Sequence, residues 1–292
     1  MTTAPIALLP DRGVVYVTGE DARHFLDNLV TNDMDLIDRQ PAIHAGLLTP
    51  QGKILFAFFI VKAPEGFLLE TSRAVVPDLV KRLTLYKLRA KVVLADISAS
   101  RAVVASWGGA LPEPRLGSSY PDARSAALGW RHVVAPETAA ELAPSDAGAA
   151  AYDRLRIAAG VPEAGRDYAL GDTFPHEANF DRQGGVSFTK GCFVGQEVVA
   201  RMQHKTVVRK RVVRVSGSGP LTEGVDVTVG EAVIGRVGTA EGADALALLR
   251  LDRALEAREK GQALSADGVT LDVAPADLEA YSEARKARAA TA

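Results

Sequence analysis

From about Thr206 onward the chain changes texture, and this change constrains the fold more than any other feature. Short β-branched runs (Val207-Val208, Val212 to Val215, Val225 to Val229, Val233-Ile234) alternate with glycine-containing turns. Brief runs of this kind, broken every few residues by turn formers, read as short strands in antiparallel order. The pattern predicts a small antiparallel β-barrel or sandwich over residues 206–281, with residues 282–292 as a polar, alanine-rich tail expected to fray.

Upstream the pattern is mixed. Val14 to Val17 reads as a strand, followed by a helix with Phe25, Leu26, Leu29 and Val30 on one face. Strands are expected at Ala42 to Leu48, Ile54 to Val61 and Phe67 to Glu70, then a helix over Ala74 to Leu88 and strands at Lys91 to Asp96 and Arg101 to Ser106. Residues 108–124, rich in Gly, Pro and Ser, read as a loop. A short helix is expected within Pro136 to Ala150, and another from Tyr152 to Ala159, stopped by Gly160 and Pro162. The class is α+β, with mixed α/β portions over residues 1–205.

Composition narrows the function. Of 292 residues, 47% are apolar and 24% charged, so a core of ordinary size is available. The formal net charge of −2 gives no global field for nucleic acid or membrane, so neither direct nucleic-acid binding nor membrane association is expected. The longest apolar run, Ile54 to Val61, is far short of the roughly 20 residues of a membrane span. A single cysteine forms no internal disulfide and suits a reducing compartment. With no secretory pattern over Met1 to Pro10, the expected location is cytoplasmic.

That cysteine, Cys192, lies in Lys190-Gly191-Cys192-Phe193-Val194-Gly195-Gln196-Glu197, two residues from an ammonium and between two glycines. A nearby cation favours the thiolate, the nucleophilic and metal-binding form, which makes Cys192 and Lys190 the candidate reactive pair and Cys192 the candidate metal ligand. The alternative is a small buried hydrophobe. Gln196 and Glu197 open a helix expected near Val194. The five histidines are scattered, and one thiol cannot supply a complete iron–sulfur cluster. The basic run His204-Lys205, Arg209-Lys210-Arg211 and Arg214 reads either as an anion site or as the charged edge of a strand.

Three blocks carry a family resemblance. They are Tyr152-Asp153-Arg154-Leu155-Arg156-Ile157-Ala158-Ala159-Gly160-Val161-Pro162-Glu163, then Pro175-His176-Glu177-Ala178-Asn179, then Gly185 through Lys190-Gly191-Cys192 to Arg201. In order and spacing the chain resembles the YgfZ-type folate-binding proteins, and above all their mitochondrial branch, which acts in iron–sulfur cluster assembly. Val17 to Ala22, Phe25-Leu26 and Thr31-Asn32-Asp33 are similar to the start of the wider superfamily, which includes the aminomethyltransferase of the glycine cleavage system.

The resemblance implies a GcvT-like three-part cloverleaf, with a central cavity for tetrahydrofolate or a derivative and a C-terminal β-barrel. It implies an accessory factor that assembles, inserts or repairs [4Fe–4S] clusters in client enzymes. Cys192 would be its essential thiol, with Lys190 lowering the thiol's pKa, and Gly191, Gly195, Gln196, Glu197 and Arg201 would shape the loop. Tyr152, Asn179 and Asn32 would contact the folate. Partners would be iron–sulfur scaffold or carrier proteins and client enzymes, with a cluster shared between proteins. Two other functions stand beside this one, a folate-dependent aminomethyl transferase and a factor whose effect on tRNA modification passes through iron–sulfur enzymes. Against the transferase, Phe56-Ala57 occupy the place of the family's acidic pair, and Ala158 replaces a glutamate expected to contact the pterin.

Overall fold

A computed structural model describes residues 4–109, 117–143 and 147–290. The chain forms two compact units that alternate along the sequence: 1–152 with 180–196, and 153–179 with 197–292. The chain passes from one unit to the other three times, after Tyr152, Asn179 and Gln196.

The first unit is built on two antiparallel sheets. Its elements are β1 (Ile6–Leu8), β2 (Arg12–Thr18), α1 (Ala22–Asp27), β3 (Ala42–Leu48), β4 (Ile54–Ala63), β5 (Gly66–Ser72), α2 (Val76–Lys87), β6 (Val93–Asp96), β7 (Ala102–Ser106), β8 (Ser118–Pro121), β9 (Trp130–Val134) and α3 (Pro136–Leu142). One sheet runs β3-β4-β5-β2-β6 and the other β1-β7-β9-β8. The five-stranded sheet buries Val15, Val17, Ile43, Ala45, Phe58, Ile60 and Leu69 in one core with Leu26 of α1 and Val76, Leu79 and Leu83 of α2. The α2 residues recur at three- and four-residue intervals, so one stripe of the helix faces the core and the rest is left to solvent.

The expected loop over 108–124 is corrected in part. Residues 110–116 lie outside the described residues, but 118–121 form β8, paired with β9 from Ser118↔Val133 to Pro121↔Trp130. Of Ser118 to Pro121 only Tyr120 favours a strand. The segment is drawn into the sheet by pairing, and its proline is tolerated at an edge.

Helix α4 (Ala147–Ala159) begins before the expected helix, and α5 (Gln196–Lys205) starts at Gln196 rather than near Val194. Beyond α5 the second unit is a closed six-stranded antiparallel barrel in the order β10-β13-β12-β11-β14-β15. Its strands are β10 (Lys210–Gly217), β11 (Asp226–Val229), β12 (Ala232–Glu241), β13 (Asp244–Arg250), β14 (Leu264–Ala266) and β15 (Val269–Val273). Val213, Val215, Val227, Val237, Ala245, Ala247, Leu249 and Leu271 form its core. Two helices pack against it, α6 (Leu251–Glu259), which interrupts the expected run of strands, and α7 (Pro275–Ala290). The expected fraying over 282–290 is replaced by a continuation of α7, with Tyr281 buried and Arg285 3.4 Å from Glu259. Among the described residues no helix is long and apolar enough to cross a membrane.

Candidate functional site

The site is organised by a lysine that sits beneath a loop. After α1 ends at Asp27, the chain turns through Asn28 to Asn32, leaving carbonyl groups without helical partners. Lys190 Nζ supplies the missing donor. It donates to the carbonyl oxygens of Asp27 (2.5 Å), Val30 (3.1 Å) and Asn32 (2.9 Å), and to Asp27 Oδ1 (3.0 Å). The Lys190 side chain is only 2% exposed. A charge so buried persists only when paired and hydrogen-bonded. Its donors are committed to the α1 end, where the group holds the loop in place.

The rest of the loop is fastened in the same direction. Thr31 Oγ1 donates to Gly185 O (2.6 Å) and accepts from Gly46 N (2.8 Å), while Ser187 N donates to Thr31 O (2.9 Å). Phe180 packs under Gly46 and stacks obliquely on His44 at 4.4 Å between ring centroids. On the far side of the cysteine, Phe193 is buried, with its ring 5.7 Å from Lys190 Nζ. Gly195 has φ +82°, and a Cβ there would meet Thr49 O at 2.6 Å, so the backbone itself packs against the β3–β4 turn. Gly191 is different, since a Cβ would meet nothing within 4 Å and its φ is not in the left-handed region.

Cys192 lies between these anchors and is exposed. This decides between the two sequence readings: the cysteine is not a small buried hydrophobe. The Lys190 and Phe193 side chains to either side are buried, and the cysteine between them is exposed. Glu197 and Arg201 form an exposed i,i+4 pair at 3.2 Å on α5, and Gln196 N donates to Phe193 O (3.2 Å) in the turn that starts that helix. Among the described residues no three His, Cys, Asp or Glu side chains are grouped to hold a metal ion.

The three side chains expected to contact folate have internal partners. Asn32 Nδ2 donates to His44 O (2.8 Å) and Gly184 O (2.6 Å), and its Oδ1 accepts from Asp33 N (2.9 Å). Asn179, held at φ +63°, donates to Val212 O (2.9 Å) and accepts from Arg211 (2.9 Å). Tyr152 is 2% exposed, and its hydroxyl meets Arg131 (3.0 Å) and Asp122 (3.3 Å). These hydrogen bonds help to build the fold. Phe56 is buried in β4 and Ala57 follows it in the same strand.

Tyr152 belongs to a buried ionic network that the sequence did not signal. Glu70 of β5 is fully buried between Arg12 of β2 and Arg131 of β9, with Arg131 Nε at 2.8 Å, and accepts from Tyr120 (2.7 Å). Burial alone would raise the Glu70 pKa, but the two guanidinium groups outweigh it and hold it below the usual carboxylate range. Asp122 is likewise buried, and Arg124 and Arg131 bring it down to about 2. The network joins the two sheets of the first unit through charges that strand periodicity cannot reveal.

In the second unit Arg156 is fully buried and donates to Asp167 (3.1 Å), Thr239 (2.8 Å), Asp153 and the Val161 carbonyl (2.9 Å). The basic run does not converge on one anion. Arg211 turns inward to Asn179, whereas Arg214 points outward, donates to Ala158 O (2.9 Å) and lines a cleft of about 380 Å³ with Arg154 and Ala158.

Residues 209–279 match the family described as CAF17, C-terminal beta-barrel domain. The human protein named iron-sulfur cluster assembly factor IBA57, mitochondrial, is 35% identical over 270 residues, covering 82% of this chain and 76% of that protein. The chain belongs to the IBA57 family. The mouse IBA57 is 33% identical over 278 residues, covering 83% and 76%. An IBA57 homologue from Mycosarcoma maydis is 37% identical over 235 residues, covering 74% of this chain, which spans 58% of that relative's length. In fold, this IBA57-family chain is similar to the glycine cleavage system aminomethyltransferase T from Bartonella henselae, with a TM-score of 0.71 at 18% identity, covering 92% of this chain and 84% of that one.

Proposed function

We propose that the protein serves in iron–sulfur cluster assembly, with the Cys192 thiol as the point of contact with the cluster. Relatives across most of the chain carry that name. The observation that carries the residue assignment is the anchored loop, in which Lys190 and Gly195 fix the backbone from below and leave Cys192 exposed.

The chemistry follows from ligand number. Thiolate is the metal-binding form of cysteine, so binding iron releases a proton. One sulfur completes only one position of a cluster usually held by four cysteines. The remaining ligands come from another protein, so the cluster is cargo shared between this chain and a scaffold, carrier or client protein, with [4Fe–4S] enzymes as the final recipients. Ligand exchange of this kind forms one Fe–S bond as another iron–ligand bond breaks, with no net change of oxidation state.

A tetrahydrofolate-type ligand remains part of the proposal on the family resemblance alone, and no step above passes through it. Any effect on tRNA modification is assigned to client enzymes that lack their clusters.

The test is aconitase specific activity, normalised to aconitase protein, in a strain deleted for this gene and complemented with the wild type or with Cys192→Ser. Loss in the deletion, rescue by the wild type and failure of the serine variant are expected. Equal activity in all three strains would overturn the proposal.

A further inference from the structure

The basic run after α5 has one member whose partners come from other strands. Arg211 turns inward and Arg214 donates to a helix carbonyl, but Lys210 opens β10 on its outer side. In the barrel register Lys210 stands directly opposite Arg250 of β13, and Arg236 of β12 stands opposite Leu248, two residues before Arg250. Side chains alternate across a sheet, so the three cations share the outer face, while Leu249, Ala247 and Val237 fill the barrel core.

Like charges directly opposite one another on a sheet are destabilising. Asp252 offsets one of them, reaching Arg250 at 2.7 Å. A fourth cation nearby, Arg166, is taken up by Asp153 (2.8 Å) and Glu223 (2.5 Å). Asp226 faces Arg236 across the β11–β12 pair, yet among the described residues neither Lys210 nor Arg236 forms an ion pair. Two positive charges are therefore left uncompensated.

These charges gather in a hollow. Lys210, Arg236 and Arg250 line a cleft of about 750 Å³, the size of a small-molecule site. Residues 165–169 also line it, and Leu248 and Val233 supply apolar surface. All of it belongs to the second unit. β12 bulges at this place, since Val227 pairs with Gly235 but Thr228 with Val233, leaving Ile234 as the extra residue. Bulges re-aim neighbouring side chains and are common beside binding sites. Val233, next to the bulge, is 60% exposed. A solvated barrel face accounts for scattered charges, but not for unpaired like charges gathered with apolar surface in one cleft.

We propose that this cleft binds a small organic phosphate monoester. Such a group is mostly dianionic near neutral pH, which matches the two uncompensated charges. Its terminal oxygens can face cations arriving from three strands, whereas a planar carboxylate suits a single guanidinium fork. The organic part of the ligand covers Leu248 and Val233. This inference is independent of the role assigned to Cys192.

The test is a two-dimensional amide NMR titration of the full chain with phenyl phosphate, inorganic phosphate, benzoate and hexaglutamate at constant ionic strength. Phenyl phosphate should bind saturably and shift the amides of Gly165, Gly224 and Gly235, which line the cleft. Benzoate and hexaglutamate should bind at least about tenfold more weakly, and inorganic phosphate more weakly because it lacks the apolar part. Lys210→Gln with Arg236→Gln should weaken phenyl phosphate by about tenfold or more. Without ligand this variant should melt within about 2 °C of the wild type, because neither side chain has an ion-pair partner to lose. No saturable binding at millimolar phenyl phosphate, shifts confined to other residues, or undiminished binding by the variant would each overturn the proposal. So would equal or tighter binding of inorganic phosphate, benzoate or hexaglutamate. A larger fall in melting would overturn it as well, by marking the two cations as structural.

Discussion

Replacing Lys190 by methionine keeps the stem of the side chain and removes the charge that holds the loop. The ammonium has three protons and faces three carbonyl oxygens and one carboxylate oxygen. Hydrogen bonds involving a charged group contribute about 1.5–3 kcal/mol each, so three of them set a gross figure of roughly 5–9 kcal/mol. Two effects reduce it. Removing the ammonium recovers its own desolvation penalty of several kcal/mol. The Asp27 side chain is 40% exposed, so it is not stranded as a buried charge and water reaches it. The expected net loss is about 2–3 kcal/mol, concentrated in the opening of residues 184–195. The readout is native-state amide exchange at Ser187, whose N–H donates to Thr31 O, and at Thr31, whose N–H donates to Gly46 O. At about 1.4 kcal/mol per tenfold, both amides should exchange roughly 30–150 times faster. Lys53→Met is not a clean control because Lys53 lies in the turn beneath Gly195, so Lys87→Met serves instead. Exchange within about twofold of the wild type at both amides would refute the anchoring role.

Other outcomes follow from the same geometry. Gly195→Ala should destabilise by about 1–3 kcal/mol in thermal unfolding, since it combines φ +82° with a clash at Thr49 O, whereas Gly191→Ala should stay within about 0.5 kcal/mol; equal effects would show that the loop is not seated as described. Asp122 has its folded pKa lowered from 3.8 to about 2, so its ionic contribution is complete above about pH 4 and is lost as the pH falls through about 2. Urea titrations should therefore show Asp122→Asn less stable than the wild type by about 2 kcal/mol at pH 7, with the gap closing in acid; a gap independent of pH would contradict the network. Glu70→Gln should cost more, about 3–5 kcal/mol, because it leaves Arg12 and Arg131 buried without their carboxylate, and an unchanged melting temperature would argue against the ion pairs. Leu88→Gly should leave melting unchanged or raise it slightly, because glycine relieves the positive φ at some entropic expense; a loss above about 1 kcal/mol would mean that Leu88 packs inside the fold.

The strands of the five-stranded sheet and the barrel were legible because their residues carry the signal themselves. Ile54 to Val61 and Val212 to Val215 are rich in β-branched and aromatic residues over runs that no helix pattern fits. β8 was not legible, since Ser118 to Pro121 become a strand only by lying beside β9. α6 carries helical spacing in Leu251, Ala254 and Leu255, but its nine residues are set within a run of strands and do not stand out from it.

At the site, the importance of the Lys190-Gly191-Cys192 block could be read from residue type and resemblance, but the division of labour within it could not. Proximity in sequence put the Lys190 charge next to the thiol, whereas the loop turns its ammonium to oxygens more than 150 positions away in the chain. The same holds for Tyr152, Asn32 and Asn179, whose polar groups have partners only the folded chain brings near.

The central claim is that cluster assembly depends on the Cys192 sulfur rather than on the loop's shape. Radioactive iron incorporated into immunoprecipitated aconitase measures assembly directly. It should be compared in deletion cells carrying the wild type, Cys192→Ser or Gly191→Ala at equal protein levels. The account expects Cys192→Ser to fall to the level of the deletion, while Gly191→Ala incorporates iron like the wild type. Wild-type incorporation with Cys192→Ser would contradict it.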